Sequence, residues 1–253
     1  MTRLLNADLR NVFAWSVRNN LPINTSKTKA ILFKRNRRIG ESLPTIIFGY
    51  DTIAYVDKIS NLGVIFQNDL EWDSHVNHQS GKIYAGLRHL KTTTSFLPSS
   101  VKIKLFKTLL LPHFIYGAEL LLNASARAIG RMRVALNSCV RWVFGISRYS
   151  SVTQYQPKLI GCPFSEFYKL RACLALCKII ITLKPFYLLQ NLQSSRSNRA
   201  RNFILPQFHT SHYGDTFFVR GIVNWNNLPT NIKEIPIFSK FRRECTAWHN
   251  RRS

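Results

Sequence analysis

LGVIFQNDLEWDSHVNHQSGKIYAGLRHL, residues 62–90, changes its hydrophobic period part-way along. Val64, Ile65 and Phe66 make a short β-branched and aromatic run after Leu62-Gly63. Past Trp72, Val76, Ile83, Leu87 and Leu90 recur at spacings of seven, four and three. The first pattern reads as strand and the second as a helix with one inward stripe. The chain is therefore read as α+β, with strand-like pieces up to about residue 67 and helices beyond.

Upstream, Leu5, Leu9, Phe13 and Val17 recur every four residues with Val12 beside them, predicting an amphipathic helix that ends near Asn20-Leu21-Pro22. Residues 30–33 and 45–48 predict strands, with a basic turn at 34–38 and Gly40 between them. Downstream, three more stripes follow: Ile103, Phe106, Leu110 and Phe114; Ile129, Met132, Leu136, Val140 and Val143; and Leu170, Leu174, Cys177 and Ile181. The last stops at Lys184-Pro185, because proline cannot continue the backbone ladder. Residues 68–192 are thus read as a mainly helical bundle. Residues 193–202, QSSRSNRARN, are polar and basic and predict a flexible linker. The remaining residues, 203–253, mix short aromatic segments with turn residues and predict a small, irregular, basic tail.

With 253 residues, 45% hydrophobic, the chain is long enough for one large core or two small ones. Thirty-six Lys+Arg against 12 Asp+Glu leave a formal charge of +24, an attractive surface for polyanions. Residues 1–122 carry 16 basic and 8 acidic groups and residues 123–253 carry 20 and 4, so the excess grows from +8 to +16. Nucleic acid is the partner this balance favours, through counterion release. Cys139, Cys162, Cys173, Cys177 and Cys245 form no CxxC pair and are read as reduced, buried small hydrophobes. Arg3, Asp8, Arg10 and Arg18 break up the N-terminal apolar stretch, unlike a signal peptide. Lys107, Pro112 and Glu119 interrupt one long apolar run, and Lys178, Lys184 and Pro185 another, so no bilayer span is expected.

Three ordered landmarks carry a family resemblance: Leu21-Pro22-Ile23-Asn24-Thr25-Ser26-Lys27-Thr28-Lys29; Leu62-Gly63-Val64 with Leu70-Glu71-Trp72-Asp73-Ser74-His75; and Leu111-Pro112-His113-Phe114-Ile115-Tyr116-Gly117. Together with Trp225-Asn226-Asn227-Leu228-Pro229 and Phe238-Ser239-Lys240-Phe241-Arg242, they resemble the part of jockey-like non-LTR retrotransposon reverse transcriptases that follows the catalytic aspartates. The resemblance implies the end of a palm at residues 1–67, a thumb at 68–192 and a basic appendage at 193–253. It implies RNA, DNA or an RNA/DNA hybrid as partner.

The chain has no Tyr-x-Asp-Asp and no two adjacent acidic residues. Nucleotidyl transfer needs carboxylates that converge on two divalent ions, so this chain is expected to be inactive alone, and magnesium to belong to the intact parent. The same residues admit other origins: an incomplete gene model of an active polyprotein, a host-retained basic scaffold, or an unselected relic.

By resemblance Lys27 corresponds to a lysine proposed to protonate departing pyrophosphate; its plainer reading, with Lys29 nearby, is a solvated cation able to attract phosphate. Gly63 reads as a bulge or a close backbone approach, and by resemblance as part of a primer grip. Arg127, Arg131, Arg133 and Arg141 ride one acid-free helix, with Arg127 and Arg131 on one face and Met132 and Leu136 on another, and are read as phosphate-facing, against the simpler reading of a solvated charged face. Arg196, Arg199 and Arg201 lie in the linker and are read either as nonspecific nucleic-acid contacts or as charges that keep it soluble. Trp72 and Trp225 read either as core or as stacking platforms. Asp69, Glu71 and Asp73, with His75 and His78, are read as the surroundings of a helix cap at Asp73 or Ser74, and no metal ligand is assigned in this chain.

Overall fold

A computed structural model describes residues 2–33, 43–195 and 200–252; the basic turn predicted at 34–38 and 40 lies outside these. The chain divides into two compact units, Met1–His75 and Val76–Ser253. The change from strands to helices falls where the hydrophobic period changes. The division between units comes a few residues later, just before Val76, the first fully buried residue of the long helical stripe.

In the first unit, α1 (Thr2–Arg18) is followed by a 3-10 turn at Thr25–Lys27. Two small antiparallel hairpins come next, β1 (Ile47–Phe48) with β2 (Asp51–Thr52) and β3 (Lys58–Asn61) with β4 (Val64–Gln67). The core is Ile46, Phe48 and Ile53, with Leu9 and Phe13 of α1 packed against it. Asn6 fixes the helix to the chain entering β1: its Nδ2 donates to the Thr45 carbonyl and its Oδ1 accepts from Ile47 N–H, both at 3.1 Å. The inward face of α1 is therefore centred on Asn6, Leu9, Phe13 and Ser16, whereas Leu5, Val12 and Val17 of the predicted stripe remain exposed. Residues 30–33 supply only a bridge at Ala30, parallel to Tyr55.

In the second unit, α2 (Asp73–Thr93), which begins at the end of the first, leads to α3 (Ser99–Leu105), a π turn at Phe106–Leu110 and α4 (Leu111–Ile115). The π turn precedes Pro112, whose missing N–H interrupts the ladder. Its wider turn also suits the four-residue spacing of Phe106, Leu110 and Phe114, all buried. A 3-10 turn at Ala118–Asn123 then leads to α5 (Ala126–Phe144). The Ser125 hydroxyl caps α5 on Ala128 N–H at 3.1 Å, and Gly145 in a left-handed conformation ends it.

After α6 (Gln156–Ile160) comes α7 (Phe164–Thr182), which buries eleven of its 19 residues. A helix apolar on every side needs partners all round. The chain beyond residue 203 supplies several of them. It forms, after α8 (Phe186–Leu189), helices α9 (Ser211–Gly214), α10 (Phe217–Asn226), α11 (Thr230–Lys233) and α12 (Phe238–Asn250), of which α10 and α12 pack on α7. Gly221 permits the close approach of α10, since a Cβ there would meet Leu176 at 3.1 Å. The expected irregular tail is thus helical and contributes Ile222, Trp225, Phe241 and Cys245 to the core. Within it Trp225 packs on Phe203 and Phe241, and the intervening turns had disguised the 3.6-residue period of its helices.

The predicted linker is tied down at both ends. Ser195 N–H donates to the Asn202 carbonyl at 2.9 Å and Ile204 N–H to the Gln193 carbonyl at 2.8 Å. The Trp225-Asn226 pair clamps the returning strand. Trp225 Nε1 donates to the Arg201 carbonyl (3.0 Å), while Asn226 Nδ2 donates to the Phe203 carbonyl (2.8 Å) and its Oδ1 accepts from Phe203 N–H (2.9 Å). Lys233, 5% exposed, donates to Asn202 Oδ1 and to the carbonyls of Asn226 and Ala200 at 2.6, 3.0 and 3.2 Å. Replacing Lys233 with Met leaves those acceptors without their cation and is expected to cost about 2–3 kcal/mol. The check is a urea titration followed by helical signal. An unchanged midpoint would show that the clamp contributes nothing to stability.

Candidate nucleic-acid interface

Between residues 74 and 165 the sequence holds six lysines and six arginines against one carboxylate, Glu119. That carboxylate is already paired with Arg171 at 3.0 Å. Helical geometry decides where the cations point. With Val76, Ile83, Leu87 and Leu90 buried, and about 100° per residue, α2 turns two rows outward. His78, Lys82 and His89 form one row; Asn77, Tyr84, Arg88 and Lys91 form the other, all exposed.

His113 of α4 joins the first row electrically: burial lowers its pKa below 6.5, and Lys82 and His78 lower it further. The second row runs beside α5. Arg131 donates to Asn77 Oδ1 at 2.6 Å. Lys91 lies within electrostatic reach of Cys139, whose thiol burial pushes up to about 12 against the opposing pull of that lysine.

The four arginines of α5 do not share one face. Arg127 and Arg131 are about 40° apart, whereas Arg133 lies about 200° from Arg131, exposed on the other flank. Arg141 is half-buried and donates to the Arg148 carbonyl at 3.3 Å, closing the turn after the helix. The geometry groups Arg127 and Arg131 with Arg88 and Lys91, two cations of α2 that sequence reading passed over. The signal for them was the row of outward positions between buried residues, with no acid to balance it.

In the first unit, Lys27 and Lys29 are exposed around the 3-10 turn, where Asn24 Oδ1 accepts from Lys27 N–H at 3.1 Å. Gly63 is not a bulge. With Asn61 paired to Val64, Leu62 (φ 49°) and Gly63 (φ 80°) are the two residues of a tight hairpin turn, and Leu62 is 86% exposed at its tip. Of the linker arginines, Arg196 and Arg199 lie outside the described residues, and Arg201 is exposed with its carbonyl held by Trp225. Trp225, buried, stacks on Phe241 with ring centroids at 5.7 Å and serves the core, whereas Trp72 is half-buried against Phe66 at 5.9 Å.

At the start of α2 the acidic segment is held by two side chains. Gln67 Oε1 accepts from Ser74 N–H at 2.7 Å, while Asp69 Oδ1 accepts from Glu71 N–H at 2.9 Å. His75 is buried against Trp72, and its Nδ1 accepts from Ile65 N–H at 3.4 Å. Among the described residues, the one group of three or more metal-type ligands in mutual reach is elsewhere, at Cys173, Cys245 and His249. No helix among the described residues is long and apolar enough to cross a membrane.

No family model, curated protein or solved structure matches the chain.

The lowered pKa of His113 makes a pH prediction. Above 6.5 the imidazole is neutral folded or unfolded; as pH falls through 6.5 the unfolded chain takes up the proton first, so stability declines towards the lowered folded value. Denaturation midpoints measured between pH 8 and 5 should fall less steeply for His113→Gln than for the parent. Parallel slopes would remove His113 from the account.

Proposed function

We propose that the chain is a nucleic-acid-holding module: the end of the palm and the thumb of a non-LTR retrotransposon RNA-directed DNA polymerase, lacking the carboxylates that perform transfer. The observation that carries this reading is the acid-poor run of residues 74–165, folded into helices whose outward rows present Arg88, Lys91, Arg127 and Arg131 beside Tyr84. Cations at helical spacing neutralise phosphates without reading bases, which suits a grip on a template–primer duplex. The exposed Leu62-Gly63 turn offers backbone and an apolar tip where the resemblance has a primer grip.

The surface of the first unit supports the same reading. Leu4, Trp15, Val17, Leu32 and Phe33 are all exposed, an apolar surface large for so small a unit. A palm separated from its central strands leaves helix faces of this kind uncovered.

Binding of an RNA/DNA hybrid, followed by fluorescence anisotropy, is expected to weaken steeply with salt, by about 0.9 log unit per log unit of salt for each phosphate neutralised. The Arg88→Glu/Lys91→Glu variant should bind roughly tenfold or more weakly and with a shallower salt slope, while Arg133→Glu, on the other flank, should change little. Salt-independent binding would point instead to a protein-binding scaffold. Equal affinity of the double variant would remove the α2 row from the interface. Primer extension with template, nucleotides and magnesium or manganese is expected to give no product. Incorporation that co-purifies with the chain through successive columns would overturn the non-catalytic reading.

A further inference from the structure

Five cysteines are buried, and three of them, with one histidine, have a spacing that a packing role does not require. Cys173 and Cys177 are four residues apart on α7; Cys245 and His249 are four residues apart on α12. Residues at that spacing lie on one face of a helix, and these two helices pack together. The Cys173 and Cys245 sulfurs and a ring nitrogen of His249 all lie within 4.8 Å of one another. In a tetrahedral site with metal–sulfur bonds of about 2.3 Å and metal–nitrogen bonds of about 2.0–2.1 Å, ligand atoms stand about 3.4–3.8 Å apart. The three groups thus need a contraction of at most about 1 Å to reach that spacing, and Cys177, outside that close group, would have to move in further.

The surroundings add a second, independent observation. His249 is 1% exposed and its Nδ1 is held at 2.9 Å by Glu166 Oε2, a carboxylate itself anchored by Lys169 at 2.7 Å. Its Nε2 is buried with no hydrogen-bond partner. A carboxylate that orients an imidazole from behind, leaving the other nitrogen bare in a cluster of sulfurs, is the usual arrangement behind a metal-bound histidine. Cys177 and Cys162 are both within electrostatic reach of Cys245, and the Lys233 ammonium is within reach of Cys173, where it offsets thiolate charge.

We propose that α7 and α12 form a buried structural site for a thiophilic divalent cation of the zinc class, held by Cys173, Cys245 and His249 with Cys177 completing the tetrahedron. Each thiol gives up its proton to solvent as it binds, so uptake of one ion releases three protons, and His249 binds as the neutral imidazole through Nε2. Glu166 is a positioning residue. Cys139, on α5, takes no part.

The test is cobalt(II) added to the reduced, metal-stripped full chain, then displaced by zinc(II). One equivalent should bind, with the intense visible absorption of a tetrahedral ion and thiolate-to-cobalt charge transfer in the near ultraviolet. Cys173→Ser/Cys245→Ser should lose both signals, Cys177→Ser should weaken the charge transfer, and Cys139→Ser should match the parent. Glu166→Gln should keep the spectrum but bind roughly 10–100-fold more weakly. Zinc should raise the thermal midpoint of the parent and leave that of the double variant unchanged. No cobalt uptake by the parent overturns the proposal, whatever the folding of the variants. So does the same spectrum in a folded double variant.

Discussion

The second unit depends on burying α7 from every side. A 19-residue helix whose eleven buried residues are spread around its circumference leaves only scattered positions such as Lys169 and Lys178 to water, so it depends on being largely surrounded. The 3-10 turn at Ala118–Asn123 and helices α6, α10 and α12 each cover part of it. That requirement explains Gly221, which removes a side chain where α10 must come closest, and Glu166, a buried carboxylate made tolerable by Lys169 and His249. Burial pushes the Glu166 carboxyl up, but the hydrogen bonds from Lys169 and His249 and the Lys169 charge outweigh it and leave the pKa lowered.

The interface and the core use the same helices for opposite purposes. On α2 the stripe Val76, Ile83, Leu87 and Leu90 fixes the rotation of the helix, and that rotation sends Arg88 and Lys91 outward beside Arg131. A change of one position in the inward stripe would redistribute the positive surface as surely as replacing the cations.

Much of this was legible in the chain. The switch of period after residue 66 located the change from strands to helices, and the stripes of α2 and α5 matched the buried residues closely because each helix has one inward face. Where reasoning failed, a single-face rule was the cause. On α1 a polar residue, Asn6, sits inward because it supplies hydrogen bonds to the chain around β1, displacing Leu5 and Val17 from the core. Beyond residue 203, short helices broken by turns hid their periodicity, and the order of the tail became visible only through its partner α7. The cysteine cluster was missed because a CxxC search finds ligands on one loop, whereas here two pairs at four-residue spacing lie 68 and more residues apart in sequence.

The clamp of Trp225, Asn226 and Lys233 on residues 200–203 has a consequence for synthesis. The groups that satisfy this stretch of backbone are made later than the stretch itself, and α12 is later still. While the chain is emerging from the ribosome, α7 must therefore wait with an oily flank uncovered until residues 238–250 arrive. A chain that stopped short of residue 238 would thus not merely lose an ornament; it would strand a half-wrapped helix and hand it to chaperones.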